Sequence, residues 1–180
     1  MTPIRMLMTL AEELRNSTVT LEGYGGPMND RRFRPTLAFA LGALIVQFLL
    51  GMAVNLFVKI PTDHPGANPP EYFGGVVASV SWAILHGGLW LTLHAVWGLV
   101  LVLAALGTLV QAIRLGGGGR ITLAALGFVG VLGAGFNGGS FLNYHADFSS
   151  MLMAVGFALA MSAYVALLYR AGIAATTRAL

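Results

Sequence analysis

The chain has 180 residues, 57% of them hydrophobic and 9% charged, with a mean hydropathy of +0.78 and a formal net charge of +3. So few charges cannot coat the surface of a soluble domain, in which about 25% of residues are charged, and the high apolar content excludes a disordered chain. The absence of cysteine excludes disulfides, thiolate metal sites and cysteine nucleophiles.

The N-terminal segment, residues 1–34, is predicted to be cytoplasmic. It does not resemble a signal peptide, because Glu12 and Glu13 interrupt any apolar run. Apolar residues at helical spacing between Ile4 and Leu14 predict a short amphipathic helix on the inner membrane surface. The glycines of residues 23–27 predict a flexible linker into the membrane.

Four apolar runs follow within a predicted membrane domain, residues 35–170. Each run reaches the ~20 residues that cross a hydrocarbon core of ~30 Å, and in lipid a run of this length satisfies its backbone hydrogen bonds as a helix. The predicted spans are residues 36–58, 88–113, 121–142 and 148–169, with an outer loop over residues 60–86. The sequence therefore predicts an all-α integral membrane protein, a four-transmembrane-helix up-down bundle surrounded by the lipid bilayer.

The sequence leaves two possibilities for the segment that precedes the second span. The stretch from Val76 to Ile113 contains no proline, and one continuous helix of this length would measure about 57 Å, more than a bilayer needs. Either the part before His86 lies along the outer interface, or the helix projects beyond the membrane. Gly87 and Gly88 mark the place where the helix would bend.

The basic residues predict the orientation of the bundle. Nine of the ten fall on one side, and only Lys59 falls on the other. Because basic residues remain in the cytoplasm, both termini are expected there, including the tail of residues 171–180. The positive charge is then a topology signal, and we expect no nucleic-acid partner. The preference for Arg over Lys, with abundant Ala and Gly, indicates a GC-rich bacterial genome and hence the plasma (inner) membrane.

Polar side chains gather in the outer half of the predicted bundle, whereas the inner half is almost entirely Ala, Leu, Val and Gly. His94 is expected about one turn below the outer surface, and an ionisable group inside a span is a functional candidate by default. Gln47, Gly51, Asn55 and Lys59 step by four residues along one face of the first span and offer partners at that level.

Haem b is the first ligand that such a pocket suggests. Four-helix bundles hold haem between facing helices, with a His and a second His or a Met as axial ligands. We therefore expect electron transfer through a haem with His94 as the best candidate ligand and Met153 facing it across the core, or with His145 as the partner of His94 or His86. The remaining candidate residues of this pocket are Asn55, Asn137 and Tyr144.

Three alternatives compete with haem. A zinc or copper ion could bind at the outer face, where the candidate ligands are His64, His86, His145 and Asp147. The chain could instead be a non-catalytic accessory subunit that docks on other membrane subunits or on a second copy through its glycine-rich third span, where Gly135 and Gly139 form a small-xxx-small pattern. His94 could also simply hydrogen-bond Asn137 or Asn55 and specify helix packing. No catalytic motif is present, so we expect an electron carrier at most and no enzyme.

Overall fold

The computed structural model describes residues 27–177, with side-chain placements for residues 33–171. The described residues form five α-helices and no strand. The helices are α1 (Pro27–Phe57), α2 (Tyr72–His86), α3 (Gly88–Leu115), α4 (Gly118–Tyr144) and α5 (Asp147–Thr177). The predicted amphipathic helix, most of the linker that follows it and the last three residues of the tail lie outside the described residues.

Four of these helices, α1, α3, α4 and α5, are long and apolar enough to cross a membrane. Their outward faces carry large apolar side chains such as Leu56, Leu103 and Tyr169, which are 68–70% exposed and suit a lipid environment. The prediction of an all-α membrane protein with four spans is confirmed.

The helices extend beyond the apolar runs that predicted them. α1 begins at Pro27 and continues through Pro35, before the predicted start at residue 36. α5 continues to Thr177, so most of the tail predicted over residues 171–180 is helical. Hydropathy detects only the part of a helix that suits lipid, whereas the backbone hydrogen bonds continue into the more polar flanks.

The four long helices pack in a ring. α1 contacts α3 and α5, and α4 also contacts α3 and α5. Within the described residues neither α1 and α4 nor α3 and α5 approach each other closely, so these two pairs are diagonal. α2 lies at one end of the ring, where it packs on α3 and α4.

The predicted outer loop contains α2 and is therefore largely helical. We call residues 58–86, the loop and α2 together, the cap. The chain bends between α2 and α3 at the two predicted glycines, and Gly88 adopts a left-handed φ of 72°. The Thr92 hydroxyl donates to the backbone oxygens of Ala83 (3.2 Å) and Ile84 (3.1 Å). The Ala83 oxygen also accepts from the Gly87 N–H at 3.1 Å, so this side chain adds to the backbone bonding at the end of α2.

The main apolar core lies at the end of the four-helix bundle opposite the cap. It surrounds the fully buried phenol ring of Tyr164. That ring fills the notch at Gly127, where a Cβ atom would overlap it. α4 and α5 cross where Gly130 faces Gly156, and a Cβ atom on either glycine would lie 2.6 Å from the carbonyl oxygen of the other. The glycines of α4 that pack closely are therefore engaged within this chain.

The predicted docking motif on α4 is divided between two environments. Gly139 is covered by the cap, because a Cβ atom there would lie 2.8 Å from Val76 Cγ1. Gly135 faces open space, as does Gly133. The small-xxx-small spacing of Gly135 and Gly139 thus brings α2 onto α4 at one of its two positions, and the other remains uncovered.

Candidate functional site

One buried asparagine holds the cap against α4. Asn143 is fully buried, and its backbone oxygen accepts a hydrogen bond from the Asn68 N–H at 2.8 Å. Its side-chain amide lies 2.8 Å from the Ser79 hydroxyl. The orientation of an amide is assigned from its hydrogen-bond network, and with the nitrogen facing the cap it also donates to Gly66 O and Gly75 O, each at 3.2 Å. Asn143 thereby ties the loop, α2 and α4 together.

The loop of the cap follows a path that requires glycine at one position. Gly66 has a φ of 93°, and a Cβ atom there would overlap Ser79 and the backbone of Gly75. A residue with a side chain would be strained in its backbone and would also collide with α2. The loop that carries His64 is consequently fixed close to α2.

His64 is buried in this loop, with only 7% of its surface exposed. Its ring stacks on Trp82 of α2, with the ring centroids 4.4 Å apart and an interplanar angle of 13°. Its Nδ1 atom lies 3.0 Å from the carbonyl oxygen of Pro65, and because that oxygen can only accept, Nδ1 carries the proton. In a ring that carries its one proton on Nδ1, the Nε2 atom has a lone pair, and this atom is buried without a hydrogen-bond partner.

His145 occupies the turn between α4 and α5 with a left-handed φ of 53°. Glycine and asparagine adopt this conformation more readily than histidine, so the backbone of the turn gives no reason for an imidazole here. The ring lies 6.3 Å from that of Phe141 and 6.1 Å from that of His64, measured between centroids. Its Nε2 atom is also buried and has no partner.

The separation of these two rings suits a shared ion. A metal–nitrogen bond of about 2.0–2.1 Å places the metal about 3.2 Å from the centroid of each imidazole, so two rings that bind one ion have centroids about 5–6.5 Å apart. The 6.1 Å between His64 and His145 falls within this range. The hydrogen bond from Nδ1 of His64 to a backbone carbonyl is the arrangement that commonly orients a metal-binding histidine.

The other two predicted metal ligands are both exposed to solvent. His86 is exposed in the last turn of α2 and lines an apolar groove of about 550 Å³ together with Pro65, Trp82 and others. Asp147 is exposed in the first turn of α5. Across residues 27–177 no three His, Asp or Glu side chains come together as a possible metal-binding group. Of the four predicted ligands the structure pairs only His64 and His145.

His94 is partly buried on α3, and its ring lies against α1. A Cβ atom on Gly51 would lie 3.1 Å from the His94 ring, so this glycine provides the space for the imidazole. The Nε2 atoms of His94 and Gln47 are 3.3 Å apart, and the Trp97 indole nearby donates to the Ala43 carbonyl oxygen at 3.0 Å. The hydrogen-bond partner of His94 is thus Gln47. The prediction that His94 bonds Asn137 or Asn55 is wrong.

Two polar atoms remain unpaired beside this contact. Nδ1 of His94 and Oε1 of Gln47 are buried without a hydrogen-bond partner. A buried polar group without a partner costs free energy. Each of these two atoms can therefore still form a hydrogen bond or bind a ligand.

The remaining residues of the predicted haem pocket lie in separate surroundings. Asn137 donates to the carbonyl oxygen of Gly133 on its own helix at 2.7 Å. Met153 packs on α4, where its sulfur would lie 3.5 Å from a Cβ atom on Gly138. Asn55 and Tyr144 are exposed, as is His86. The contacts of His94 are with α1 and those of Met153 are with α4, so no described contact joins these two predicted axial ligands.

The sequence left open whether the segment before His86 is separate from the second span, and it did not identify Asn143 as the residue that anchors this segment. A signal for α2 was present, because Glu71 precedes the apolar run of residues 72–86 and its carboxylate accepts from Phe73 N–H at 2.7 Å and Gly74 N–H at 2.5 Å. The pairing of His64 with His145 has no local signal, because the two residues are 81 positions apart in the sequence.

In comparisons with known proteins, no protein-family model matches the chain, and neither a curated protein nor a solved structure is significantly similar to it.

Proposed function

We propose that this protein is a small integral membrane protein that binds a transition-metal ion between His64 and His145. The observation that supports the proposal is the pair of buried Nε2 atoms, which lie on neighbouring rings and have no hydrogen-bond partner. Neutral imidazole is the commonest metal ligand in proteins and suits zinc, copper, iron and nickel. A bound ion would supply the partner that both atoms lack.

The distribution of basic residues favours an external position for this site. The described arginines Arg34, Arg114, Arg120 and Arg170 belong to the ends of the long helices that lie away from the cap. If basic ends remain in the cytoplasm, the four helices cross the membrane up and down, both termini are cytoplasmic, and the cap faces the outside. The protein would then hold its metal ion at the outer surface of a bacterial plasma membrane.

Equilibrium dialysis against Zn²⁺, Cu²⁺, Ni²⁺ and Co²⁺, with a parallel anaerobic dialysis against Cu(I), tests the proposal on the detergent-purified protein when it is followed by elemental analysis. His64→Asn keeps an N–H donor near the position of Nδ1, and His145→Asn suits the left-handed turn, so both variants remove Nε2 with little change to the fold. The matched control is His86→Asn, which changes an exposed histidine of the same cap.

We expect the wild-type chain and His86→Asn to retain one ion per chain, and the other two variants to lose it. Retention of no metal by the wild-type chain, or equal retention by all three variants, would show that the pair is not a metal site. Circular dichroism of each variant shows whether its helices are intact, so that loss of binding is not confused with loss of the fold.

A second candidate function is electron transfer through a b-type haem bound by His94. The buried and unpartnered Nδ1 atom of His94 favours it, because this atom is free to bind a ligand inside the membrane. An absorption spectrum of the purified protein, first air-oxidised and then reduced with dithionite, tests this candidate. A Soret band that shifts on reduction and disappears in His94→Ala would support haem, and a flat spectrum from the folded wild-type chain would contradict it.

A further inference from the structure

We infer that the ion bound by His64 and His145 is monovalent copper, Cu(I), held by two ligands. The inference rests on the metal site proposed above and adds the chemical identity of the ion. Its basis is the number of ligands, the separation of the two rings and the apolar surroundings of the pair.

The number of ligands is the first argument. Structural zinc sites have four protein ligands and catalytic zinc sites usually have three. In the described part of the chain no third His, Asp or Glu joins the pair into such a group. Two imidazoles are sufficient for Cu(I), a closed-shell d¹⁰ ion that forms stable two-coordinate complexes with nitrogen ligands.

The separation of the rings is the second argument. With the metal about 3.2 Å from each ring centroid, a tetrahedral angle at the metal corresponds to centroids about 5.2 Å apart, and a linear arrangement to about 6.4 Å. The 6.1 Å between His64 and His145 lies toward the linear end. A wide N–metal–N angle is the geometry of a two-coordinate ion.

The surroundings of the pair provide the third argument. Trp82 covers one face of the His64 ring, and Phe141 lies beside His145. Imidazole binds a metal as a neutral ligand, so the ion would keep its whole charge between two Nε2 atoms that are shielded from solvent and lie beside aromatic rings. The cost of burying a charge rises steeply with its magnitude, and a monovalent ion is therefore favoured over a divalent one. Aromatic rings also attract a cation through their faces.

A competition titration tests the identity of the ion. The full-length protein is kept anaerobic and titrated with Cu(I) against the chromophoric chelator bicinchoninate, and a parallel titration uses Zn²⁺ with a zinc indicator. The variants are His64→Asn and His145→Asn, with His86→Asn as the control. X-ray absorption of the copper-loaded protein then counts the ligands.

We expect the wild-type chain and His86→Asn to take one Cu(I) per chain with two short Cu–N distances, and each of the other variants to lose stoichiometric binding. Stoichiometric Zn²⁺ binding at the pair without Cu(I) binding, or copper with three or more ligands, would overturn the Cu(I) inference and leave the metal site in place. Binding of neither ion, or binding that persists in His64→Asn and His145→Asn, would overturn both proposals.

Discussion

Asn143 is the residue on which the position of the candidate metal site depends most directly. Its backbone and side chain together contact the loop, α2 and the helix that leads to His145. The loop that carries His64 and the turn that carries His145 are therefore fixed relative to each other by one buried amide. A neighbouring asparagine on the same helix, Asn137, donates to its own helix instead.

Replacing Asn143 with Ala should detach the cap. The change leaves the buried groups of Ser79 and the cap backbone without partners, so we expect the free energy of unfolding to fall by about 1–3 kcal/mol. Hydrogen exchange measured by mass spectrometry should show faster exchange in α2, and metal retention should fall with it. Asn137→Ala is the control, with an expected effect of about 0.5 kcal/mol or less. Equal effects of the two variants would contradict the role of Asn143 as anchor.

Glu71 gives the cap a pH dependence. The N–H groups of Gly74 and Phe73 hold the pKa of the exposed Glu71 carboxyl below its ordinary value. A carboxyl with a lowered pKa in the folded state stabilises that state above its unfolded pKa, and the contribution is lost as the pH falls through the folded pKa.

Protection of the α2 amides, corrected for the intrinsic exchange rate, should therefore decrease as the pH falls below the usual glutamate value of about 4.3. In Glu71→Gln the carboxylate is absent at every pH, so we expect weaker protection of α2 at neutral pH and a flatter profile on acidification. Identical profiles for the two proteins would show that Glu71 does not stabilise the N-terminus of α2.

At the scale of the helices, glycine decides which faces meet. The backbones of α4 and α5 are in close contact where Gly130 faces Gly156, whereas Gly133, three residues further along α4, faces open space. Within a membrane, apolar side chains contact lipid as favourably as they contact another helix. Close approach of small residues therefore provides the van der Waals packing that holds two helices together.

Gly130→Ala should therefore destabilise the bundle. The added Cβ atom would lie 2.6 Å from Gly156 O and 2.8 Å from Ala160 N, and these backbone atoms cannot turn aside as a flexible side chain can. We expect a loss of about 1–3 kcal/mol in unfolding by denaturing detergent. Gly133→Ala is the matched control and should leave stability unchanged or raise it by up to about 1 kcal/mol. The same loss in both variants would show that the contact with α5 is not the cause of the effect, because helix propensity favours Ala over Gly at both positions.

At the scale of the whole molecule, the ring of four helices has one end covered by the cap and another that contains the main apolar core. The two ends differ in the residues they offer to their surroundings. The cap end carries the histidine pair, and the opposite end carries the described arginines. This asymmetry links the site to one side of the membrane.

The absence of native cysteine allows a direct test of that orientation. Single variants Asp63→Cys, in the exposed part of the cap, and Gly118→Cys, at the exposed start of α4, introduce unique thiols. In intact cells a membrane-impermeant maleimide should label Asp63→Cys, and it should label Gly118→Cys only after the cells are opened. The reverse pattern would place the cap in the cytoplasm and remove the external position of the metal site.

The sequence by itself determined the four membrane helices and the place where α2 turns into α3. Both are local properties, because a run of about 20 apolar residues or a pair of glycines carries its physical consequence wherever it lies in the chain. The concentration of histidines toward one end of the bundle also follows from their positions relative to the ends of the apolar runs.

Only the tertiary structure decided which polar side chains meet. His94 lies against Gln47 because Gly51 leaves it space on α1, and His64 lies near His145 because Asn143 and Gly66 fix the course of the cap. A helical period shows which residues share a face, but it does not show which neighbour that face contacts, nor where a loop is held. These contacts depend on the packing of segments distant in sequence, and for that reason only the fold could select His64 and His145 from the four metal ligands that the sequence offered.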